Sequence, residues 1–168
     1  MNTIDDRCSA LTPAFPHWEK TKDLVDQLID ILVNYRQSGH PGGSRSKVHI
    51  LLTTLLSGAM RWDIRDPARR FADRFVLGAG HTIPLVYGTL AVLNEALRIK
   101  HRQTGDDRYR ILDADRRALY WEHLPGFRRL GGLSGHAEMV GRSLFLKFNT
   151  GPSVPGCPAS AAISLALQ

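Results

Sequence analysis

The sequence predicts a helix-rich α/β fold with one or two parallel strands. Three observations carry that expectation. Apolar residues recur at helical spacing between His17 and Arg36, where Leu24, Leu28, Ile31 and Leu32 form a stripe widened by Val25, Ile29 and Val33. A second run, Lys47 to Met60, is apolar on most sides, as a buried helix is. Arg74-Phe75-Val76-Leu77 reads as a short buried strand, stopped by Gly78-Ala79-Gly80-His81 and followed by a helical pattern from Pro84 to Lys100.

The elements follow in chain order. Residues 1–16 contain Pro13 and Pro16 and read as an irregular lead-in. The helix from His17 to Arg36 is broken by Ser38-Gly39-His40-Pro41-Gly42-Gly43-Ser44, a tight loop whose Ser44 is placed to cap the helix at Lys47. A polar segment with Asp63, Arg65, Asp66 and Pro67 precedes the strand. Pro84 suits the first turn of the next helix. His101 to Asp115 is highly charged and reads as a solvated insertion. Arg116 to Glu122 reads as a short helix, Leu124 to Gly135 as a glycine-containing loop, and Ser143 to Phe148 as a short extended piece. The last segment, Pro158 to Gln168, reads as a helix opening with a proline and lacking a closing signal.

Composition narrows the function classes. The 168 residues are 43% hydrophobic and 23% charged, which suits one globular domain and argues against disorder or a fibrous chain. Val48 to Met60 is too short to cross a bilayer and contains His49, Thr53, Thr54 and Ser57. No signal-peptide pattern follows Met1, so a cytoplasmic location is expected, with no membrane partner. Cys8 and Cys157 make neither a disulfide framework nor a metal cluster. A net charge of +6 favours anionic partners. The arginines fall in short clusters, Arg69-Arg70, Arg116-Arg117 and Arg128-Arg129, with no basic tail. That dispersion reads first as a solvated basic surface and, among ligands, favours a phosphorylated metabolite or cofactor over nucleic acid.

Three histidines, His40, His81 and His136, each follow a glycine in a loop between predicted elements. Such loops let backbone and side chain approach a ligand closely, and imidazole relays protons near pH 7. No HxxxH or CxxC pair supports zinc. Asn149-Thr150-Gly151-Pro152 leads toward the last helix, yet no GxGxxG or GKS/GKT phosphate loop is present.

Taken in order, Ser38-Gly39-His40-Pro41-Gly42, then Asp73-Arg74-Phe75-Val76-Leu77 leading to Gly80-His81, then Phe127-Arg128-x-Leu130-Gly131 leading to Gly135-His136-x-Glu138, then Thr150-Gly151-Pro152, resemble the N-terminal region of the transketolase-like, thiamine-diphosphate-dependent enzymes. The resemblance runs from about residue 20 to residue 168. It implies that 17–168 is the N-terminal part of the family's diphosphate-binding domain, an incomplete doubly wound parallel sheet. It implies catalytic roles for His40, His81 and His136. It implies substrate contacts from His40, Arg128 and His136, with Arg128 holding a sugar phosphate. It also implies cofactor contacts from His81 and Gly151. The activity implied is two-carbon ketol transfer between sugar phosphates, with thiamine diphosphate and Mg²⁺ as cofactors.

Departures from the family pattern accompany the resemblance. Ser153-Val154-Pro155-Gly156-Cys157-Pro158 replaces a glycine-rich stretch, and its two prolines remove backbone donors. The wide spacing between His81 and His136 leans toward the decarboxylating subunits of 2-oxo-acid dehydrogenases. The His136 loop lacks the family's preceding arginine and proline. The only Gly-Asp, Gly105-Asp106, is followed by Asp107, so the family's Gly-Asp-Gly…Asn metal motif is not matched and no metal ligand is assigned. A missing C-terminal portion or partner subunit, and a homo-oligomer, are expected; a non-catalytic remnant acting by protein association is the alternative.

Overall fold

The computed structural model describes residues 4–143, 145–151 and 156–166. Among them lie seven α-helices: α1 (Ile4–Leu11), α2 (Phe15–Arg36), α3 (Pro41–Arg45), α4 (Val48–Leu56), α5 (Ile83–Thr104), α6 (Ala114–Arg117) and α7 (Gly156–Ala166). Short 3-10 turns fill the joints at Gly80–Thr82, Asp107–Tyr109, Trp121–Gly126 and Gly141–Ser143.

α5 is the axis of the core. Every residue from Ile83 to Ala91 is buried. Val25, Ile29 and Leu32 of α2 and Val48, Leu51, Leu52 and Leu55 of α4 close over it, so the stripe read from the sequence is the face that packs. α2 crosses α5 at Gly88, where a side chain's Cβ would lie 3.5 Å from both the Val25 side chain and the Val25 carbonyl oxygen. Leu119, Phe127 and Leu146 complete the interior from the later part of the chain, with Phe127 edge-on to Tyr87 of α5. On the outer side of the α2–α5 pair, Leu24, Ile31, Ile99 and Trp121 stay exposed. They flank a groove of about 340 Å³.

The expected parallel sheet does not form. No strand exists among the described residues, and the fold is helical rather than α/β. The reason lies in what meets the backbone of Arg74–Leu77. A strand gains stability from a ladder of partners. Here Phe75 makes one isolated parallel bridge, to Leu146, and the Leu77 carbonyl is taken by the Thr150 hydroxyl instead of a backbone N–H. The apolar character of the run is spent on side-chain packing: Phe75 stacks on Phe145 with centroids 4.7 Å apart, and Leu77 is buried in the helical core.

Other segments also differ. The lead-in contains a helix, α1, and Pro16 serves as an early residue of α2 rather than a breaker. The Gly-Pro loop after α2 winds into α3, so Ser44 sits inside a helix instead of capping α4. α5 runs to Thr104 and ends on Gly105 at φ 66°. The charged segment beyond it is anchored by Ile111, which is buried. The short helix expected at Arg116 starts at Ala114 and ends at Arg117, and Trp121–Gly126 turns as a 3-10 helix. In the piece expected to be extended, Ser143 closes a 3-10 turn, Leu146 makes only the Phe75 bridge, and Leu144 lies outside the described residues. Of the last helix, Leu167 and Gln168 lie outside them as well. Among the described residues no helix is long and apolar enough to cross a membrane.

Candidate functional site

Four segments far apart in sequence meet at the N-terminal end of α5. The pivot is Gly80. A Cβ at that position would fall 1.9 Å from the Thr150 carbonyl oxygen, so only a glycine lets the two backbones touch. Beside it the His81 N–H donates to the Gly151 carbonyl at 3.2 Å. Thr150 is buried, and its hydroxyl donates to the Leu77 carbonyl at 2.5 Å. Its own N–H and C=O pair with Ala137 at 3.0 and 3.2 Å. The Gly80-His81, His136-Ala137 and Thr150-Gly151 segments are thereby one hydrogen-bonded unit.

α3 brings the His40 segment to the same place. The buried Ser44 hydroxyl donates to the Thr82 carbonyl at 3.3 Å. A Cβ on Gly43 would lie 3.2 Å from the Thr82 methyl and 4.0 Å from both His81 Nε2 and Lys47 Nζ. The His81 ring and the Lys47 ammonium therefore both border the bare face of Gly43, with Lys47 donating to the Gly43 carbonyl at 2.6 Å. His40 itself is the exposed residue preceding α3, in extended conformation at φ −124°, ψ 112°. His136 is exposed, and its ring edge lies 3.9 Å from the position a Cβ on Gly151 would take.

The Arg128 segment is joined through α2. Arg128 holds a left-handed φ of 54°, a strained conformation for an arginine. Its Nη1 donates to the Ser38 hydroxyl, and its carbonyl accepts from Arg36 Nη2 at 3.2 Å. Its Nε is buried without a partner, packed on the bare face of Gly135. Of the guanidinium nitrogens, Nη1 is committed to Ser38, Nε is buried against Gly135, and Nη2 likewise makes no hydrogen bond among the described residues.

The chemistry of this end is set by what is left unpaired. The imidazoles of His40, His81 and His136 make no hydrogen bond among the described residues. By contrast, His49 contacts Glu19 at 3.0 Å, His101 lies 3.7 Å from Asp107, and His123 accepts the Tyr120 N–H at 2.9 Å. Arg36, Lys47, Arg128 and Arg129 form no ion pair with a carboxylate among the described residues. The acid at this end, Glu138, accepts the Ser134 hydroxyl at 2.7 Å. Burial pushes the Tyr87 phenol well above its ordinary range, the Glu138 charge adds to that, and a hydrogen bond to the Ser134 backbone opposes it. The unpaired cations at this end can attract an anion. Ser38 enters the sequence reading only as the first residue of the His40 motif and Lys47 only as a helix start, neither with a site role; their place near glycines of the His40 segment is the signal that marks them.

The described residues offer no ligand set for the metal. No group of three or more His, Cys, Asp or Glu side chains converges among them. Asp106, the one acid in a Gly-Asp pair, caps a 3-10 turn and pairs with Arg108 at 2.7 Å. Gly151 lines the cluster, whereas Pro152 to Pro155, the continuation of that turn, lie outside the described residues. A larger apolar cavity, about 510 Å³, lies elsewhere, lined by Leu55, Trp62, Ile64 and Leu97 among others. Comparison with known proteins matches no protein family, no curated protein and no solved structure.

Proposed function

We propose that this chain carries the substrate-side loops of a transketolase-like, thiamine-diphosphate-dependent enzyme acting on a phosphorylated sugar. The supporting observation is that the four motif segments, spread from Ser38 to Gly151, come together around Gly80 and leave three imidazoles without a hydrogen-bond partner among the described residues. In this function His40, His81 and His136 exchange protons with the hydroxyl groups of a polyhydroxylated substrate. Arg128, through Nη2, and the neighbouring unpaired cations attract its phosphate. The described residues supply no ligand set for Mg²⁺, so no step is assigned to the cofactor. The chain alone is expected to bind substrate without turning it over, and to rely on a partner subunit or further chain for activity.

The test is a titration of the chain with fructose 6-phosphate, followed through the ring resonances of its seven histidines. His40, His81 and His136 are expected to move together while His17, His49, His101 and His123 stay fixed. No movement at several millimolar ligand, above the usual range of KM values, would sink the proposal. A parallel titration with pyruvate checks the 2-oxo-acid alternative.

A further inference from the structure

Between α4 and Phe75 the chain makes a run of turns whose outer side encloses a cavity of about 370 Å³, lined by Arg61, Trp62, Arg69, Arg70, Phe71 and Ala72. Three features set this place apart. Phe71 is 89% exposed. Its φ is 63°, in the left-handed region that a bulky side chain rarely occupies. Its ring is held out to solvent beneath the Arg70 guanidinium, which lies 5.1 Å from the ring centroid. The surrounding charges are sorted: Arg61 is tied to Asp73 at 3.1 Å and Arg65 to Asp63 at 2.7 Å. Arg69 and Arg70 have no ion pair and no side-chain hydrogen bond among the described residues. The turn itself is fixed, with the Arg69 N–H donating to the Asp66 carbonyl at 3.0 Å and the Asp73 N–H to the Arg61 carbonyl at 2.8 Å.

We infer that this cavity binds a nucleoside monophosphate, with the base against Phe71 and the phosphate on Arg69 and Arg70. Each part of the ligand answers one feature. A planar base covers the exposed Phe71 face opposite Arg70, and the guanidinium over the other face keeps its cation–π attraction. The guanidinium fork matches a phosphate in geometry as well as charge. A neutral apolar ligand would leave two guanidinium groups uncompensated, and a bare anion would leave the Phe71 face in water. The volume lies within the range of small-molecule sites, roughly 300–1,000 Å³. Trp62 forms one wall, fixed by its indole N–H on the Leu55 carbonyl at 3.0 Å. The site uses none of the histidine-loop residues and stands or falls independently of the sugar-phosphate proposal.

The test is calorimetric titration of the whole chain with adenosine monophosphate, adenosine and inorganic phosphate in turn. The nucleotide is expected to bind at least about tenfold more tightly than either part. Phe71→Gly keeps a residue that tolerates the left-handed backbone and removes only the ring. It is expected to weaken nucleotide binding by about tenfold or more, the size of one base-stacking contact. A double change, Arg69→Gln with Arg70→Gln, should reduce the nucleotide to the affinity of adenosine. Melting curves of both variants check that each is folded. The inference is overturned if the unaltered chain binds the nucleotide no more tightly than phosphate, or if folded Phe71→Gly binds it as well as the parent.

Discussion

Replacing Gly80 by alanine should be among the most damaging single-methyl additions in this chain. The new Cβ would lie 1.9 Å from the Thr150 carbonyl oxygen, 2.4 Å from its carbonyl carbon and 2.8 Å from its hydroxyl oxygen. Two of those atoms are backbone, so no rotamer change relieves the clash. The contact must open from 1.9 Å to about 3.4 Å, an ordinary van der Waals separation. A movement of that size breaks the His81 N–H bond to Gly151 and the Thr150 hydroxyl bond to Leu77. Each is worth about 1 kcal/mol net, and overpacking adds about 1–3 kcal/mol. The expected loss is therefore about 3–5 kcal/mol. Urea unfolding followed by circular dichroism measures it. Gly42→Ala is the control, because a Cβ there meets nothing within 4 Å. Within α3 it should be neutral or stabilising by up to about 1 kcal/mol. If Gly80→Ala unfolds within about 1 kcal/mol of the parent, the Gly80–Thr150 contact does not hold the cluster together.

Three further outcomes are expected. Thr150→Val keeps the shape but leaves the Leu77 carbonyl without its donor, and should cost about 1–3 kcal/mol in the same urea assay. Tyr87→Phe removes a buried hydroxyl bonded to the Ser134 backbone and should cost about 1 kcal/mol, with the Ser134–Glu138 loop exchanging amide hydrogens faster. His123 is held below its ordinary range, first by burial and then by the Arg142 charge. A histidine with a lowered folded pKa contributes stability fully above its unfolded pKa, about 6.5. That contribution fades as the pH drops through the lower folded value. The stability gap between the parent and His123→Ala should accordingly narrow on acidification, and a gap that widens would contradict the assignment.

The helices were legible because burial writes its period into the sequence. The stripe of Val25, Ile29 and Leu32, the run Val48–Leu55, and Pro84 opening α5 all had one physical meaning. Arg74–Leu77 reads as a strand because three consecutive apolar residues, Phe75, Val76 and Leu77, fit a strand and a packed irregular segment equally well. What decides is whether another backbone lies alongside, and among the described residues that is limited to the isolated Phe75–Leu146 bridge with its Lys147 N–H bond to the Phe75 carbonyl. The lead-in was misread because proline breaks a helix interior but suits its first turn, where Pro16 stands. For the cluster, the glycines beside each histidine were a usable signal, since Gly43 and Gly80 are the points of closest approach. The commitment of Arg128 to Ser38 was not, because it depends on where α2 ends relative to a loop 90 residues away.

The Gly80 cluster also bears on the order in which the molecule assembles. Its ties join residues 73 apart, Leu77 to Thr150, and 90 apart, Ser38 to Arg128. Closing loops of that length loses chain entropy before any contact compensates. The α2–α4 contacts, by contrast, form across a short connection. The helical core should condense first and the histidine-bearing loops dock afterwards. In the native state the same hierarchy should show as local opening: the amides of His81 and Thr150 exchanging through small fluctuations, while those of Val86 to Ala91 wait for the whole chain to unfold.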